Sequence, residues 1–326
     1  MEKRLDEILL AAITLGVTDI HFSKSNQSEQ IVIEMRNGNM MRKLKPKECD
    51  VALFRYLMYS ANLDVSNAFL PQTGRLERTV GGMHLSLRFA VVTSYHVTSG
   101  VLRILNNHTQ LTIEQLTPQK DVVAWLNQIT KHRTGLYLLS GPTSSGKTTS
   151  LYTILNQTEN KKIFTLEDPI EVVNERYVQL QVNEAQHLSY AEGIKQLMRH
   201  DPDIIMIGEI RDEIAAQMCV RCALTGHLVL STVHSMDCAS AIIRMRDLGV
   251  KEYELKDVLK GVSNQRLYEL DDNRRMGIYE FMDEKEVSYY LQHRRTTENF
   301  QNLSKQIQHC IEENFITEKQ VQKDLF

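Results

Sequence analysis

The residues with the clearest chemical meaning form one short run in the middle of the chain. They are Gly141, Pro142, Thr143, Ser144, Ser145, Gly146, Lys147, Thr148 and Thr149. The run fits the pattern GxxxxGK[ST], follows an apolar segment and precedes a helical one. Small residues let backbone N–H groups surround a phosphate chain, and the helix that begins near Gly146 directs the positive end of its dipole at the same anion. We therefore predict a nucleoside triphosphate site in which Lys147 contacts the β- and γ-phosphates and Thr148 is a ligand of Mg²⁺.

The second chemical signal is a carboxylate that directly follows an apolar strand. Residues 203–208 contain an apolar run that predicts a buried parallel strand, and Glu209 is the first carboxylate after it. Hydrolysis of a γ-phosphate needs an acid that orients or deprotonates water, a metal ion, and cations near the charged oxygens. We predict a catalytic or Mg²⁺-linked role for Glu209, and a solvated acid at a strand end is the alternative.

Two histidines flank another predicted strand. His227 and His234 are seven residues apart, so they point to opposite faces of a strand and are poor partners for one metal ion. His234 follows the strand, at the edge of the sheet where ligands bind. Spacing alone leaves open the alternative that each histidine only forms hydrogen bonds and has no chemical role.

Cys219 and Cys222 match the pattern CxxC, but the chain has no second pair at a suitable spacing. They lie in a stretch of helical character, where small apolar cysteines commonly pack. We interpret both as structural and predict neither zinc binding nor redox chemistry for them.

Two arginines among the first hundred or so residues are candidate site residues, but spacing alone gives no reason to prefer a functional role for them. Arg88 shares the polar face of its strand with His84 and Ser86, as a solvated residue would. Arg103 interrupts an otherwise apolar run. The alternative to a functional role is that its side chain extends over apolar surface and keeps its charged end in water.

Composition and charge argue against a nucleic-acid-binding, a secreted or a membrane-spanning protein. The chain has 326 residues, of which 42% are hydrophobic and 24% are charged, as is typical of soluble globular proteins with room for two domains. The formal net charge of −3 gives no general attraction to nucleic acid or to an anionic membrane. The charged N-terminus lacks the features of a secretory signal, and no apolar stretch approaches membrane-spanning length. Five cysteines, an odd number, suit reduced thiols, so we expect a cytoplasmic protein.

The first part of the chain predicts a small α+β domain, residues 1–107. Alternating residues place Leu85, Leu87 and Phe89 on one face of a strand, as in a half-buried antiparallel sheet. The predicted helices are 2–15 and 48–62, the strands are 31–36, 40–44, 75–80, 83–89 and 101–105, the hairpin turn is 37–39, and the linker is 106–110.

The second part, residues 108–326, predicts an α/β domain. Apolar strands alternate with helices, which is typical of a parallel sheet covered by helices, with ligands at the carboxyl ends of the strands. From about residue 251 the sequence becomes more polar, and we predict a helical C-terminal region. The predicted strands are 136–140, 162–166, 203–208 and 227–233.

Four sequence blocks occur in an order that is characteristic of a known family. They are GPTSSGKTT at 141–149, TLEDPIE at 165–171, DPDIIMIGEIRD at 201–212 and TGHLVLSTVHSMD at 225–237. In this order they resemble the Walker A, Asp box, Walker B and His box of the type II secretion and type IV pilus ATPases. Residues 18–22 and 72–76 also look like N-domain signatures of that family, so the resemblance covers most of the chain. It implies a RecA-like P-loop ATPase domain and a smaller, PAS-like N-terminal domain.

The resemblance also implies ATP as the nucleotide, Mg²⁺ as its ion, and roles for individual residues. Glu209 is implied as the catalytic acid, with Mg²⁺ held directly or through water, and His234 is implied as a sensor of the γ-phosphate. Glu167 and Glu171 belong to the Asp box, and whether Glu167 shares catalysis with Glu209 stays open.

Partners and location follow from the same resemblance. Arg88 and Arg103 match the family's N-domain arginines, which approach the nucleotide in a hexamer, so a homohexamer is implied. The expected partners are an integral-membrane platform protein and, through it, pilin-like proteins, with no direct contact to nucleic acid. The expected location is the cytoplasm, at the inner face of the cell membrane.

The sequence departs from the pattern of many family members in three features, and these indicate which members it resembles most. Many members carry a tetracysteine zinc insertion, but residues 268–276, where it would lie, contain no cysteine, so we expect no zinc. We expect a short N-terminus without a platform-binding extension, and we find no match to the AIRNLIRE motif of retraction ATPases in the sequence. The closest resemblance is to the competence-pilus assembly ATPases of Gram-positive bacteria, so ATP-driven assembly of a DNA-uptake pilus is the leading hypothesis. The alternatives are a retraction ATPase, a nucleotide-binding regulatory scaffold with little hydrolysis, and a DNA-translocating ATPase.

Overall fold

Residues 1–25, 30–37, 40–65, 69–105, 111–182, 188–270 and 274–322 are described by a computed structural model of the protein. The tip of the predicted hairpin turn and the predicted linker at 106–110 lie outside these residues. By their internal contacts, the residues divide into two units, Met1–His108 and Thr109–Phe326. No helix in the described ranges combines the length and the apolar character needed to cross a bilayer.

The first unit is an antiparallel sheet with two helices. It contains α1 (Glu2–Thr14), β1 (Asp19–Ser25), β2 (Ile31–Asn37), β3 (Met40–Lys43), α2 (Asp50–Ser60), β4 (Gln72–Val80), β5 (Met83–Thr93) and β6 (Val97–Leu105). The strand order is β3-β2-β1-β6-β5-β4. Leu85, Leu87 and Phe89 of β5 are buried, as their alternation predicts. They pack in one core with Leu9 of α1 and Leu57 of α2.

The second unit is built on a mostly parallel sheet. It contains α3 (Ile113–Leu116), α4 (Lys120–Ile129), β7 (Gly135–Ser140), α5 (Lys147–Asn156), β8 (Ile163–Glu167), β9 (Tyr177–Gln181), α6 (Tyr190–Leu197), β10 (Ile204–Ile207), α7 (Glu213–Leu224), β11 (Leu228–Val233), α8 (Cys238–Asp247), α9 (Glu252–Val258), β12 (Leu259–Glu269), β13 (Arg275–Met282), α10 (Glu284–His293), α11 (Leu303–Glu312) and α12 (Glu318–Val321). The strand order is β13-β12-β7-β11-β10-β8-β9, and β13 is antiparallel to its neighbour. The four predicted strands are β7, β8, β10 and β11, and their ends differ from the prediction by no more than one residue.

Helices cover both faces of the parallel strands, and this explains their apolar sequences. In β10, Ile205 and Ile207 contact a hydrophobic core with α7 and α8, whereas Ile204 and Met206 contact another core with α4 and α5. A strand buried on both faces reads as a continuous apolar run instead of an alternating one. Because β7, β11, β10 and β8 are parallel neighbours, their carboxyl ends meet at one edge of the sheet.

The prediction of a helical C-terminal region from about residue 251 was wrong for β12 and β13. Helices flank these strands, but the strands themselves extend the sheet beyond β7. β12 is an inner strand, yet its residues Ser263, Asn264 and Gln265 are polar and buried. Hydrogen bonds to distant parts of the chain stabilise this strand, so it lacks the continuous apolar sequence by which buried strands are recognised.

Glu280 in β13 fixes the beginnings of two helices. Its Oε1 accepts a hydrogen bond from the backbone N–H of Cys238 at 2.7 Å, and its Oε2 accepts one from the N–H of Leu303 at 2.7 Å. These residues begin α8 and α11, whose first N–H groups have no partner within the helix. Burial raises the pKa of Glu280, although the two backbone hydrogen bonds act in the opposite direction. One buried carboxyl group therefore joins the sheet to two helices.

We expect Glu280→Ala to lower the free energy of unfolding of the second unit by about 2–5 kcal/mol, because two buried N–H groups lose their acceptor. Urea unfolding followed by circular dichroism measures the loss. The matched control is Glu284→Ala, which removes an exposed ion pair with Lys260 and should cost less than about 1 kcal/mol. Equal losses in the two variants would show that Glu280 has no special part in the fold.

Candidate active site

The phosphate loop lies between the end of β7 and the start of α5. Its backbone has positive φ angles at three positions, 146° at Gly141, 63° at Ser144 and 87° at Gly146. A Cβ atom at Gly141 would lie 2.6 Å from the carbonyl oxygen of Gln265, so only glycine fits there. The loop thus passes close to the backbone of β12, and the first N–H groups of α5, which have no partner within the helix, are available to an anionic ligand.

Lys147 is buried and donates hydrogen bonds within its own loop. Its Nζ lies 2.9 Å from the carbonyl oxygen of Gly141 and 2.9 Å from that of Pro142. Burial lowers the pKa of Lys147, and the negative charges of Glu209 and Glu171 oppose this shift. A buried ammonium group that is held by neutral carbonyls is suited to an anionic ligand.

Two hydroxyl groups of the loop fit a polyphosphate and its ion. The buried Oγ of Ser145 has no hydrogen-bond partner among the described residues, and a phosphate oxygen would supply one. Thr148 is the second residue of α5 and offers a hydroxyl oxygen, the type of ligand that Mg²⁺ prefers. The donors of the loop thus fit a nucleoside triphosphate with Mg²⁺.

Glu209 lies just after β10 and is held from two sides. Its Oε1 lies 2.8 Å from Nε2 of His234, and its Oε2 accepts a hydrogen bond from Nε of Arg211 at 2.8 Å. Since β10 and β11 are parallel neighbours, the residues that follow them meet at one edge of the sheet. The structure therefore brings two of the predicted site residues, Glu209 and His234, into direct contact.

Arg211 is a residue of the site for which the sequence predicted no role. Besides Glu209, it approaches Asp168, which follows β8, with 3.5 Å between Nη1 and Oδ2. The hydrogen bond to Glu209 raises the pKa of Arg211. A guanidinium group beside a carboxylate fixes its orientation as well as its charge. The signal in the sequence was the position of this arginine, two residues after the acid in the block GEIRD.

Glu167 is also at the edge of the sheet but in a different environment. Only 3% of its surface is exposed. Both carboxylate oxygens lie 2.8 Å from the hydroxyl of Tyr152, and Oε1 also accepts a hydrogen bond from Thr165 at 2.7 Å. Burial raises the pKa of Glu167, although these hydrogen bonds oppose the shift. Glu167 is thus enclosed by hydroxyl groups, whereas Glu209 is partly exposed.

His227 and the CxxC cysteines lie away from this edge. His227 precedes β11, at the opposite end of the strand from His234, and its Nδ1 lies 3.1 Å from the carbonyl oxygen of Cys222. Cys219 and Cys222 are buried in α7, and burial raises the pKa of Cys222 to about 12. A thiol this basic is a poor nucleophile and a poor metal ligand at neutral pH. The structure agrees with a packing role for both cysteines.

Arg88 and Arg103 belong to the first unit, where they face each other across β5 and β6. Arg75 faces Arg88 from β4, so three arginines form a row across the sheet. The row lies on the face opposite to the core, because the residues that alternate with Arg88 in β5 are buried. Nε of Arg103 lies 2.6 Å from Oδ1 of Asp19, so this arginine has a charged partner.

A parallel sheet with a glycine-rich phosphate loop after one strand, a histidine after the adjacent strand and an acid after the strand beyond it defines an α/β P-loop nucleotide-binding protein. Comparison with known proteins identifies the family within this class. The family model described as "Type II/IV secretion system protein" matches residues 1–325. The chain belongs to the type II/IV secretion system protein family.

Individual relatives agree with this membership. The chain is 32% identical over 337 residues to the competence protein ComGA of Halalkalibacterium halodurans, with 96% of each chain covered. It is 37% identical over 271 residues to the type IV pilus assembly ATPase TfpB of Acinetobacter baylyi, with 81% of this chain and 46% of TfpB covered. The chain spans about half the length of the first curated relatives that it matches. The resemblance to secretion and pilus ATPases, and to competence proteins among them, is confirmed.

A solved structure shows the same fold. The ATPase DotB of Legionella pneumophila matches with a TM-score of 0.77 at 19% identity, and the match covers 99% of this chain and 95% of DotB. At this level of identity the likeness concerns the fold alone.

We expect Glu167→Gln to change how the stability of the second unit depends on pH. The folded-state pKa of Glu167 lies above its ordinary value of 4.5, so the folded state binds more protons than the unfolded state. The unsubstituted chain therefore loses stability as the pH rises from about 4.5 through the raised pKa, and glutamine, which does not ionise, removes this contribution. Urea unfolding of both proteins at a series of pH values measures this contribution of Glu167 to the free energy of unfolding. The stability of the variant relative to the unsubstituted chain should grow with pH, and a constant or shrinking difference would rule the explanation out.

Proposed function

We propose that this chain is a Mg²⁺-dependent ATPase motor, in which ATP hydrolysis drives assembly of a competence pilus, a type IV pilus for DNA uptake. The observation that carries the proposal is the contact of Glu209 with His234 and Arg211 at the edge of the sheet where the phosphate loop begins. The match to a competence protein over 96% of both chains supports the pathway.

Nucleotide binding is assigned to the phosphate loop. The polyphosphate replaces the loop carbonyls as the partner of Lys147, because an anion is the stronger partner of a buried ammonium group. Backbone N–H groups of residues 143–149 and the dipole of α5 hold the remaining phosphate oxygens. Thr148 and Glu209, the latter directly or through water, would hold Mg²⁺, which would neutralise charge on those oxygens.

Hydrolysis is assigned to the acid and the histidine at the neighbouring strand ends. Glu209 orients the attacking water and accepts its proton, and Arg211 and His234 restrict the carboxylate to one orientation. His234 contacts the γ-phosphate and is coupled to Glu209 through their hydrogen bond. Glu167 is a second candidate for the proton acceptor, because a raised pKa suits a general base.

The motor is proposed to be a homohexamer with a PAS-like domain, 1–107, and a RecA-like domain, 108–326. Arg88 and Arg103 of one subunit complete the site of its neighbour, a contribution worth about 10³ to 10⁵ in rate for arginine fingers. Nucleotide-driven movement of the two domains acts on an integral-membrane platform protein and, through it, on pilin-like proteins. The motor lies at the cytoplasmic face of the membrane and does not bind nucleic acid directly.

We expect Lys147→Ala to lose ATP binding, and Glu209→Gln to keep binding but lose turnover by about 10²-fold or more, since a carboxamide does not accept the proton. A fluorescent ATP analogue measures affinity, and phosphate release measures turnover. The matched control is Glu213→Gln, an exposed glutamate at the start of α7 that should leave both quantities unchanged. Turnover near the control level in Glu209→Gln would remove that residue from the catalytic role.

Mixing two inactive proteins tests whether arginines are shared between subunits. We expect Arg88→Ala and Lys147→Ala each to lack turnover alone, and their mixture to regain part of it, because an intact arginine then meets an intact phosphate loop in a neighbour. Phosphate release as a function of mixing ratio is the measurement. Arg55→Ala, an exposed arginine on α2, is the matched control and should be active by itself. A mixture as inactive as its components would argue against shared sites.

A further inference from the structure

Three consecutive polar residues of β12 are buried beside the phosphate loop. Asn264, Gln265 and Arg266 have 0%, 1% and 8% of their surfaces exposed. β12 pairs with β7 so that Asn264 lies opposite Ser140, the last residue before the loop. Successive side chains of a strand point to opposite faces, so Asn264 and Arg266 act on one face and Gln265 acts on the other.

Gln265 holds the phosphate loop from its face of β12. Its Nε2 donates a hydrogen bond to the carbonyl oxygen of Ser145 at 2.7 Å, and its Oε1 accepts one from the hydroxyl of Ser150 at 3.1 Å. A Cβ atom at Gly146 would lie 3.2 Å from Nε2 of Gln265, so the close approach depends on that glycine. The side chain of Gln265 therefore joins the loop to α5.

Asn264 and Arg266 hold the segment that follows His234. Nδ2 of Asn264 donates to the carbonyl oxygen of Ser235 at 3.1 Å, and Nη2 of Arg266 donates to that of Met236 at 3.1 Å. The two side chains are also joined to each other, because Nη1 of Arg266 donates to Oδ1 of Asn264 at 2.7 Å. Two side chains of one strand thus anchor two successive carbonyl groups.

These contacts act on the backbone next to His234 and not on its ring. The imidazole is about half exposed and lies 2.8 Å from Glu209, so its position depends on the backbone that carries it. The amide of Asn264 also donates to Oγ of Ser140 at 2.8 Å. The same anchor is therefore tied to the end of the strand that leads into the phosphate loop.

We propose that Asn264 and Arg266 are positioning residues, which hold His234 at the distance from Glu209 that ATP hydrolysis requires. The proposal rests on the ATPase function proposed above and adds two residues to its site. Loss of an anchor lets the backbone after His234 shift, and a displacement of about 1 Å in a catalytic group can lower a rate by about 10²-fold.

A double-mutant cycle tests this role. Arg266→Gln and Asn264→Ala are each made in the unsubstituted chain and in His234→Ala. Single-turnover hydrolysis of radiolabelled ATP gives the rate, and a fluorescent ATP analogue gives the affinity. The matched control is Ser263→Ala in the same strand, because the buried hydroxyl of Ser263 has no hydrogen-bond partner within the described part of the chain.

We expect each substitution to lower the rate about tenfold or more in the unsubstituted chain, and by less than about twofold in the His234→Ala background. The affinity for the ATP analogue should stay unchanged, and Ser263→Ala should be fully active. Equal fold losses in both backgrounds, a loss of affinity that accounts for the rate, or no loss would overturn the proposal. If Arg266→Gln does not fold, Asn264→Ala, which changes no charge, decides by the same criteria.

The same experiment separates this role from the proposed function. Normal turnover of the unsubstituted chain together with additive losses in the cycle would overturn the positioning role alone. An unsubstituted chain that hydrolyses no ATP would overturn the proposed function and the positioning role together.

Discussion

The buried ammonium group of Lys147 is the constraint on which the rest of the site depends. A charge away from water is stable only with strong partners, and here two loop carbonyls provide them. The carboxylates of Glu209 and Glu171 add a favourable field, although burial still lowers the pKa of Lys147. A triphosphate brings the negative charge that neutral carbonyls lack. The loop is therefore preorganised for an anion.

The order of the sheet decides which side chains meet around this ammonium group. β7 carries the phosphate loop, β12 lies on one side of it, and β11 and then β10 lie on the other. The contact of Gln265 with the loop and the contact of His234 with Glu209 both follow from this order. Each of these residues lies in a buried strand or within two residues of its end. The site is thus fixed by the same packing that stabilises the domain.

In the second unit, the strands that the sequence predicted well are those whose two faces are largely apolar. β10 was predicted to within one residue, because an uninterrupted apolar run marks a strand that helices cover on both faces. β12 was missed because Asn264 and Gln265 are buried through hydrogen bonds to residues more than a hundred positions away. Arg211 was missed for a related reason, since its role depends on Asp168 from another strand. Motifs therefore predicted the type of chemistry, whereas the contacts that orient each group depend on the register of distant strands.

The most direct test of this account is an experimental structure of the chain with Mg²⁺ and a non-hydrolysable ATP analogue. We expect Nζ of Lys147 to leave the carbonyls of Gly141 and Pro142 and to contact the β- and γ-phosphates, with Glu209 facing the γ-phosphate. An analogue bound away from the loop, or a Lys147 that keeps its carbonyl partners while Glu209 faces solvent, would contradict the account.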